Sequence, residues 1–141
     1  MSFNGIYINH MKRILLSFLI PLIFISCKEK AMSSLDLLKN AEKSIQSITV
    51  LKARKLILDQ SIIIIDVRTK EEYDKGHIKN AIHISRGLLE FEIEQKVQNK
   101  NSKLLVYCQV GGRSALAVET LKRMGYKNAY NLSGGYMLWL Q

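Results

Sequence analysis

Short apolar runs that alternate with helical patterns dominate the last two-thirds of the chain and most restrict its fold. "SIIIIDVR" at 61–68 and "KLLVYC" at 103–108 are continuous apolar runs that end in polar residues. Such runs are typical of strands that are buried on both faces. Shorter strands are predicted at "NAIHIS" (80–85) and "KNAYNL" (127–132). Strands that alternate with helices favour βαβ units, and so predict an α/β fold with a mostly parallel sheet and helices on both faces.

Helix signals lie between these strands. Thr69 followed by Glu72 has the spacing of a capping box, which predicts a helix directly after the first strand. Apolar residues at helical spacing predict a second helix over 89–97 and a third over 117–124. Gly125 is placed where a helix ordinarily ends.

Length and charge limit the classes of function. With 141 residues, the chain has room for one modest domain and a tail. Its 21 basic and 12 acidic residues give a formal charge of +9, but the cations are spread along the chain and form no stripe. This argues against a nucleic-acid partner. Three scattered histidines and two distant cysteines have no metal-ligand spacing, so neither a metal nor another cofactor is predicted.

The N-terminal segment has the features of a targeting signal. "MKRILLSFLIPLIFISC" at 11–27 has two cations, then an apolar run that is short of the roughly 20 residues a transmembrane helix needs. A basic start followed by a short apolar stretch is typical of a secretory signal. The "FISC" end resembles a bacterial lipobox, which implies acylation of Cys27 and a lipid anchor in the cell envelope, at the inner or the outer membrane, with the domain outside the cytoplasm. An uncleaved anchor, or a signal peptide cut nearby without lipidation, is the alternative.

The chain therefore divides into three predicted parts. Residues 1–26 form an N-terminal extension and signal peptide, residues 27–47 a polar tether, and residues 48–141 the folded domain. Loosely helical spacing of apolar residues over 35–45 indicates a short helix within the tether.

Cys108 is the candidate reactive residue. It ends a predicted strand, and sites in parallel α/β sheets gather outside the carboxyl ends of the strands. Asp66 and Arg68 end another strand at the same predicted edge. We expect these two residues to pair and to organise the loops around Cys108. Direct contact with a substrate is the alternative.

The loop after Cys108 predicts a stabilised thiolate. Gly111 and Gly112 permit backbone conformations that turn N–H groups inward as an anion-binding nest. Ser114 is placed to cap the following helix, whose N-terminus adds positive potential, and Arg113 adds a full charge. Such surroundings lower the pKa of a cysteine and suit nucleophilic attack. A buried cysteine beside an ordinary glycine turn is the alternative.

Three motifs together resemble the rhodanese-like domains, which are single-domain sulfurtransferases. They are "IIDVRTKEEYDKGHIKNAIHI", "LLVYCQVGGRSALAVETLKRMGY" and "NLSGGYMLW", in family order between Ile48 and Leu140. The resemblance implies an α/β fold around a five-stranded parallel sheet. It also implies that Cys108 takes up sulfane sulfur from a small donor as a persulfide and passes it to a thiol, to cyanide or to a protein acceptor. The implied persulfide cradle is formed by the N–H groups of Gln109, Val110, Gly111, Gly112 and Arg113.

Loop length separates this chemistry from a related one. Tyrosine phosphatases and some arsenate reductases have five residues between cysteine and arginine, whereas four residues separate Cys108 from Arg113 here. A smaller loop suits one terminal sulfur better than a tetrahedral oxyanion. Family members that use thiosulfate efficiently often carry basic residues after the cysteine, so Gln109 and Val110 predict a poor thiosulfate enzyme. A low-turnover binding module or a sensor of reactive sulfur is the alternative.

Other conspicuous residues are assigned structural roles. His77 is expected to fix a turn by a hydrogen bond, and Trp139 to lie in the core. Lipidation of Cys27 would leave Cys108 without an intramolecular disulfide partner. A disulfide between Cys27 and Cys108 is the alternative.

Overall fold

A computed structural model of the chain describes residues 31–141. The predicted signal peptide and Cys27 lie outside the described residues. Within residues 31–141, no helix is both long enough and apolar enough to span a membrane.

The described part of the chain folds around five parallel strands in the order β1-β5-β4-β2-β3. This confirms the predicted α/β fold. The strands are β1 (Gln46–Ile48), β2 (Ile63–Asp66), β3 (Ile82–His83), β4 (Leu104–Tyr107) and β5 (Ala129–Leu132). The helices are α1 (Ser34–Ser44), α2 (Val50–Leu58), α3 (Lys70–Asp74), α4 (Leu89–Lys96), α5 (Gly112–Arg123) and α6 (Gly135–Trp139), with a 3₁₀ turn at Arg86–Leu88.

The central strand β4 shows why the apolar runs become strands. All four of its residues are buried, and alternate side chains point to opposite faces of the sheet. Leu104 and Val106 join a core cluster with residues of α4 and α5. Leu105 and Tyr107 join a second cluster, which includes Ala53 of α2. The sheet therefore carries a core on each face, as the continuous apolar runs predict.

The structure differs from the predicted tether over residues 32–47, because the compact unit extends over Met32–Gln141. Helix α1 begins with a capping box in which Ser33 and Asp36 bond each other's backbone N–H groups. It packs against α5, and β1 pairs with β5 at the edge of the sheet. Only one residue of β1 is buried, so the sequence there has no strand periodicity to detect. Backbone pairing, not an apolar pattern, holds this strand.

Helices α1 and α5 run in the same direction. The backbone of Gly112, at the start of α5, lies beside the side chain of Leu38. At the other end, Lys122 Nζ donates to the carbonyl oxygen of Ser44 over 3.4 Å. Because α5 follows the carboxyl end of β4, the start of α1 lies at that same edge of the sheet. The folded unit thus begins at the edge where the site is expected.

Candidate active site

Cys108 directly follows β4 at the carboxyl edge of the sheet. Its side chain is 1% exposed, and it is a free cysteine in the described part of the chain. The sulfur is therefore held inside the protein, at the base of the loop that leads into α5.

The loop closes around the sulfur as a partial cradle. Gly111 has a φ of +105°, in the left-handed region that favours glycine, and its N–H donates to Cys108 Sγ over 3.1 Å. The hydroxyl of Ser114 lies 3.4 Å from the same sulfur. Burial raises the pKa of the Cys108 thiol, but hydrogen bonds from Ser114 and from the N–H groups of Gly111 and Val110 favour the thiolate. On balance the pKa of Cys108 lies below its ordinary value.

The prediction that Ser114 caps the helix is wrong. Helix α5 begins at Gly112, and its N-cap is Gly111, which has no side chain to accept a hydrogen bond. Ser114 instead lies in the first turn, fully buried, with Oγ 3.0 Å from the carbonyl oxygen of Gly111 and 2.7 Å from Asn131 Oδ1. One hydroxyl has one proton, so these oxygens and the sulfur of Cys108 compete for the same donor. Asn131, a buried polar residue on β5, could not be identified as part of the site from its position in the sequence.

Asp66 and Arg68 form the predicted pair. Arg68 Nη2 lies 2.7 Å from Asp66 Oδ2, and Arg68 Nε lies 3.0 Å from both carboxylate oxygens. The exposed fractions of the two side chains are 2% and 0%. Burial lowers the pKa of Arg68, but the hydrogen bonds and charge of Asp66 outweigh it, so the guanidinium stays charged.

Arg68 also reaches the loop. Its Nη1 donates to Gln109 Oε1 over 3.3 Å, and its Nη2 donates to the carbonyl oxygen of Gly76 over 2.7 Å. The guanidinium lies 4.1 Å from the centre of the Tyr136 ring. Since arginine can only donate, the amide oxygen of Gln109 must face it, and the amide nitrogen faces away.

Arg113 is held by Glu72 and also interacts with Cys108: the Glu72 hydrogen bond is the main cause that raises the pKa of Arg113, and the charge of Cys108 and a hydrogen bond to it raise that pKa further. Arg113 forms a two-point ion pair with Glu72, with Nη1–Oε2 and Nη2–Oε1 distances of 2.8 and 2.7 Å. Glu72 also accepts the Thr69 N–H over 2.8 Å, which confirms the predicted capping box. The hydrogen bond from Arg113 is the main cause that lowers the pKa of Glu72 to about 2. Glu72 thus joins the start of α3 to the start of α5.

Gly135, at the start of α6, fixes the back of the loop, a role that the sequence did not reveal. The N–H groups of Tyr136 and Met137 donate to the carbonyl oxygens of Cys108 and Gln109 over 2.8 and 3.0 Å. Gly135 has a φ of +60°, and a Cβ there would lie 2.4 Å from the Cys108 carbonyl oxygen. Only glycine permits so close an approach, so α6 and the loop are locked together.

A cavity of about 320 Å³ opens beside the loop. Its lining contains Arg68, Glu72, Lys75, Gly76, Gln109, Tyr136 and Leu140. Two cations and one carboxylate give it a positive balance, which favours small anionic molecules.

The two histidines of the described part of the chain, His77 and His83, are engaged elsewhere. His77 Nδ1 lies 3.1 Å from the Tyr73 carbonyl oxygen, and its ring stacks on that of Tyr73, which confirms the predicted turn contact. His83 Nε2 lies 3.0 Å from the Arg68 carbonyl oxygen. Trp139, expected in the core, is partly buried beneath Arg54, whose guanidinium lies 4.4 Å from the ring centre. Within residues 31–141, no group of three or more histidine, cysteine or acidic side chains could hold a metal ion.

Comparison with known proteins supports the predicted family independently of the geometry. A family model described as the rhodanese-like domain matches residues 49–141. The chain is 36% identical over 94 residues to thiosulfate sulfurtransferase GlpE of Coxiella burnetii, a match that covers 67% of this chain and 86% of GlpE. It is 36% identical over 88 residues to YrkF of Bacillus subtilis, a match that covers 61% of this chain but only 45% of YrkF.

A solved structure from Rhodopseudomonas palustris is similar in fold. It has a TM-score of 0.73 and 30% identity, and the match covers 79% of this chain and 91% of that chain. That protein is described as one of unknown function and a possible tyrosine phosphatase.

Proposed function

Since the chain belongs to the rhodanese-like domain family, we propose that it is a sulfurtransferase that carries sulfane sulfur as a persulfide on Cys108. The observation that carries this proposal is the closure of a four-residue loop on a buried sulfur, with the Gly111 N–H at 3.1 Å and the Ser114 hydroxyl at 3.4 Å. These donors stabilise negative charge on sulfur in the attacking thiolate and in the persulfide formed from it.

The reaction has two displacement steps. In the first, the Cys108 thiolate attacks the outer sulfur of a donor such as thiosulfate. A new S–S bond forms, the donor's S–S bond breaks, and sulfite leaves with the electron pair. In the second, an acceptor thiolate or cyanide attacks the terminal sulfur of the persulfide, and Cys108 leaves as a thiolate. Each step moves one sulfur atom without an external oxidant or reductant.

The uncharged residues after the cysteine favour a donor other than thiosulfate. Val110 is 64% exposed at the mouth of the loop, and Gln109 is the polar side chain next to it. Neither brings a positive charge to a sulfonate group. We expect polysulfide to load Cys108 faster than thiosulfate does.

Intact-mass measurement after incubation with polysulfide or thiosulfate tests the proposal. The expected result is a gain of one sulfur atom that a thiol acceptor removes. Cys108→Ala should show no gain, whereas Ser102→Ala, a loop change away from the site, should load like the native chain. If no donor loads the native chain, the sulfurtransferase is excluded. Loading without transfer to any acceptor would indicate the sulfur-sensing module instead.

The similarity to a possible tyrosine phosphatase defines a second candidate. A phosphatase must fit a tetrahedral phosphate, whereas the loop here already holds the sulfur at hydrogen-bond distance from Gly111 N–H and engages Arg113 with Glu72. We expect no hydrolysis of an aryl phosphate by the same preparation that takes up sulfur. Hydrolysis that Cys108→Ala abolishes would favour the phosphatase.

We further propose that acylation of Cys27 holds the domain at a membrane of the bacterial envelope. The support is the sequence of residues 11–27, with its basic start, short apolar run and terminal cysteine. Mass spectrometry of the N-terminal peptide from membrane fractions tests this. An acylated Cys27 at the mature N-terminus is expected, and an unmodified Cys27 would exclude the lipid anchor.

A further inference from the structure

The edge of the sheet that holds Cys108 also carries exposed apolar side chains. We define the apolar collar as the side chains that are at least half exposed on three neighbouring parts of this edge: the start of α1, the Cys108 loop and the end of α6. They are Met32 (57%), Leu35 (57%), Val110 (64%), Met137 (53%) and Leu140 (67%). Such exposure of large apolar side chains around one site marks an interaction surface.

The collar comes from three elements that meet at this edge. Leu35 lies one helical turn before Leu38, whose side chain lies beside Gly112 at the start of α5. Val110 belongs to the loop itself, and the Met137 N–H donates to the carbonyl oxygen of Gln109. Leu140 lines the cavity beside the loop. The collar residues therefore lie on, or beside, the loop that holds Cys108.

The chain outside the described residues joins the domain at this same edge. The folded unit begins at Met32, and α1 starts beside the loop and runs away from it. Only six residues, 28–33, separate Cys27 from the first residue of α1. Fully extended, the seven Cα–Cα steps from Cys27 to Ser34 span at most about 25 Å. A lipid at Cys27 thus holds this edge close to the bilayer, which the predicted twenty-residue tether would not do.

We propose that the apolar collar rests on the membrane surface, so that the domain presents its Cys108 edge to the bilayer. The proposal depends on the membrane anchor proposed above and is independent of whether Cys108 transfers sulfur. Apolar side chains at such a surface insert shallowly into the headgroup region, and cations beside them favour anionic lipids. Lys28 and Lys30, with Glu29 between them, leave the connecting segment with one net positive charge at this point, and Lys75 at the cavity adds another.

This orientation has a consequence for the site. The exposed face of the loop is covered by lipid, and small donors approach the loop from the side, at the cavity that Arg68 and Gln109 line. Acceptors that partition into the membrane surface meet the persulfide directly, whereas bulky water-soluble proteins are kept away.

Cysteine labelling on vesicles tests the orientation. The full chain with Cys108→Ser is placed in vesicles of equal parts phosphatidylethanolamine and phosphatidylglycerol, and Leu35→Cys, Leu140→Cys or Leu58→Cys is added singly. Leu58 is 81% exposed at the far end of α2, at the opposite edge of the sheet, and is the matched control. A large water-soluble maleimide is used, and peptide mass mapping locates the label.

Collar positions should label more slowly on vesicles than in detergent, and Leu58→Cys should not. A position that is exposed about 10% of the time labels about tenfold more slowly. Equal slowing at all positions, greater slowing at Leu58→Cys, or loss of the chain from the vesicles would overturn the proposal. Slowing in detergent that grows with protein concentration would show that a second copy covers the collar, and would overturn it too.

A second measurement needs no substitution. Trp139 is the single tryptophan of the chain and lies on α6 between Met137 and Leu140. Lipids brominated near the headgroup should quench its fluorescence in the native chain, and the absence of quenching would contradict the proposal. Sulfur loading of the same native preparation, measured separately by intact mass, distinguishes this failure from failure of the sulfurtransferase proposal.

Discussion

The two sides of the Cys108 loop each place an arginine against a carboxylate, but in different surroundings. On the inner side, Arg68 and Asp66 are 2% and 0% exposed. On the outer side, Arg113 and Glu72 are 40% and 31% exposed. Removing one partner of a buried ion pair leaves a charge without solvent, whereas a surface pair gives up its partner to water at little cost. We infer that the buried pair on the inner side fixes the position of the loop, whereas the exposed pair on the outer side only modulates the chemistry of the site.

Asp66→Asn should produce the largest effect, because it leaves the Arg68 guanidinium buried against a neutral amide. Breaking a buried pair in this way costs about 3–5 kcal/mol. The free energy of unfolding from urea titration measures it. Asp74→Asn, which breaks the surface pair of Asp74 with Lys70, is the control and should cost less than about 1 kcal/mol. Equal losses in the two variants would remove the distinction between the inner and outer sides.

Gly135→Ala tests whether the close backbone contact between α6 and the Cys108 loop holds the loop in place. The new Cβ would meet the Cys108 carbonyl oxygen, and the left-handed φ of +60° adds strain. Together these should cost about 1–3 kcal/mol and slow sulfur loading, because the loop must shift. Gly87→Ala is the matched control, since a Cβ there meets nothing within 4 Å. Native loading by Gly135→Ala would show that α6 does not position the loop.

The inner side was largely predictable from sequence. Asp66 and Arg68 stand at the end of one apolar run, and Cys108 stands at the end of another. Parallel strands bring these two ends to the same edge of the sheet. The φ constraint at Gly111 follows from its place in the loop. The contact of Gly135 with Cys108 could not be predicted, because it depends on how α6 packs across the edge of the sheet.

Ser114→Ala should raise the pKa of Cys108, because a hydroxyl that stabilises the thiolate is lost. The pH dependence of alkylation by iodoacetamide measures this change as a shift of the rate profile toward higher pH. Thr120→Val, on the same helix but bonded to the Leu116 carbonyl oxygen, should leave the profile unchanged. Asn131→Ala should shift it the other way, since it removes an acceptor that competes for the Ser114 proton. A profile that does not move in Ser114→Ala would exclude the hydroxyl as a thiolate donor.

On the outer side, the partner of Arg113 could not be predicted from sequence spacing. Arg113 stands five positions after Cys108, and this proximity suggested that its charge points into the cradle. In the structure, its guanidinium is bound by Glu72, a partner 41 positions earlier, and Glu72 contributes more than Cys108 to raising the pKa of Arg113. The sequence marked Glu72 as a capping residue, and a capping carboxylate still has acceptor positions for a second partner. Pairing between distant helix starts depends on tertiary packing, which no local pattern encodes.

Glu72→Gln isolates the outer side, and its effect should be the smallest. Glutamine keeps one oxygen to accept the Thr69 N–H, so the capping box is preserved, whereas the charge opposite Arg113 and one of its two hydrogen bonds are lost. The free energy of unfolding at neutral pH should fall by less than about 1 kcal/mol, because the pair is partly solvated. Since the pKa of Glu72 is lowered to about 2, the native pair stabilises the fold at neutral pH and is lost as the pH falls from the ordinary range of glutamate toward 2. The difference between native and variant stability should therefore vanish at the acid end of a urea titration series.

The same variant tests whether the outer side adjusts the chemistry. Without Glu72's charge, the Arg113 guanidinium is free to turn toward an anionic donor, so the KM for thiosulfate should fall while polysulfide loading stays unchanged. Glu71→Gln removes a charge one position earlier on α3 without touching Arg113, and it should leave both unchanged. An equal fall in KM for the two variants would assign the effect to general surface charge. A fall confined to Glu72→Gln would show that the ion pair keeps a potential sulfonate-binding arginine occupied, and so limits the use of thiosulfate.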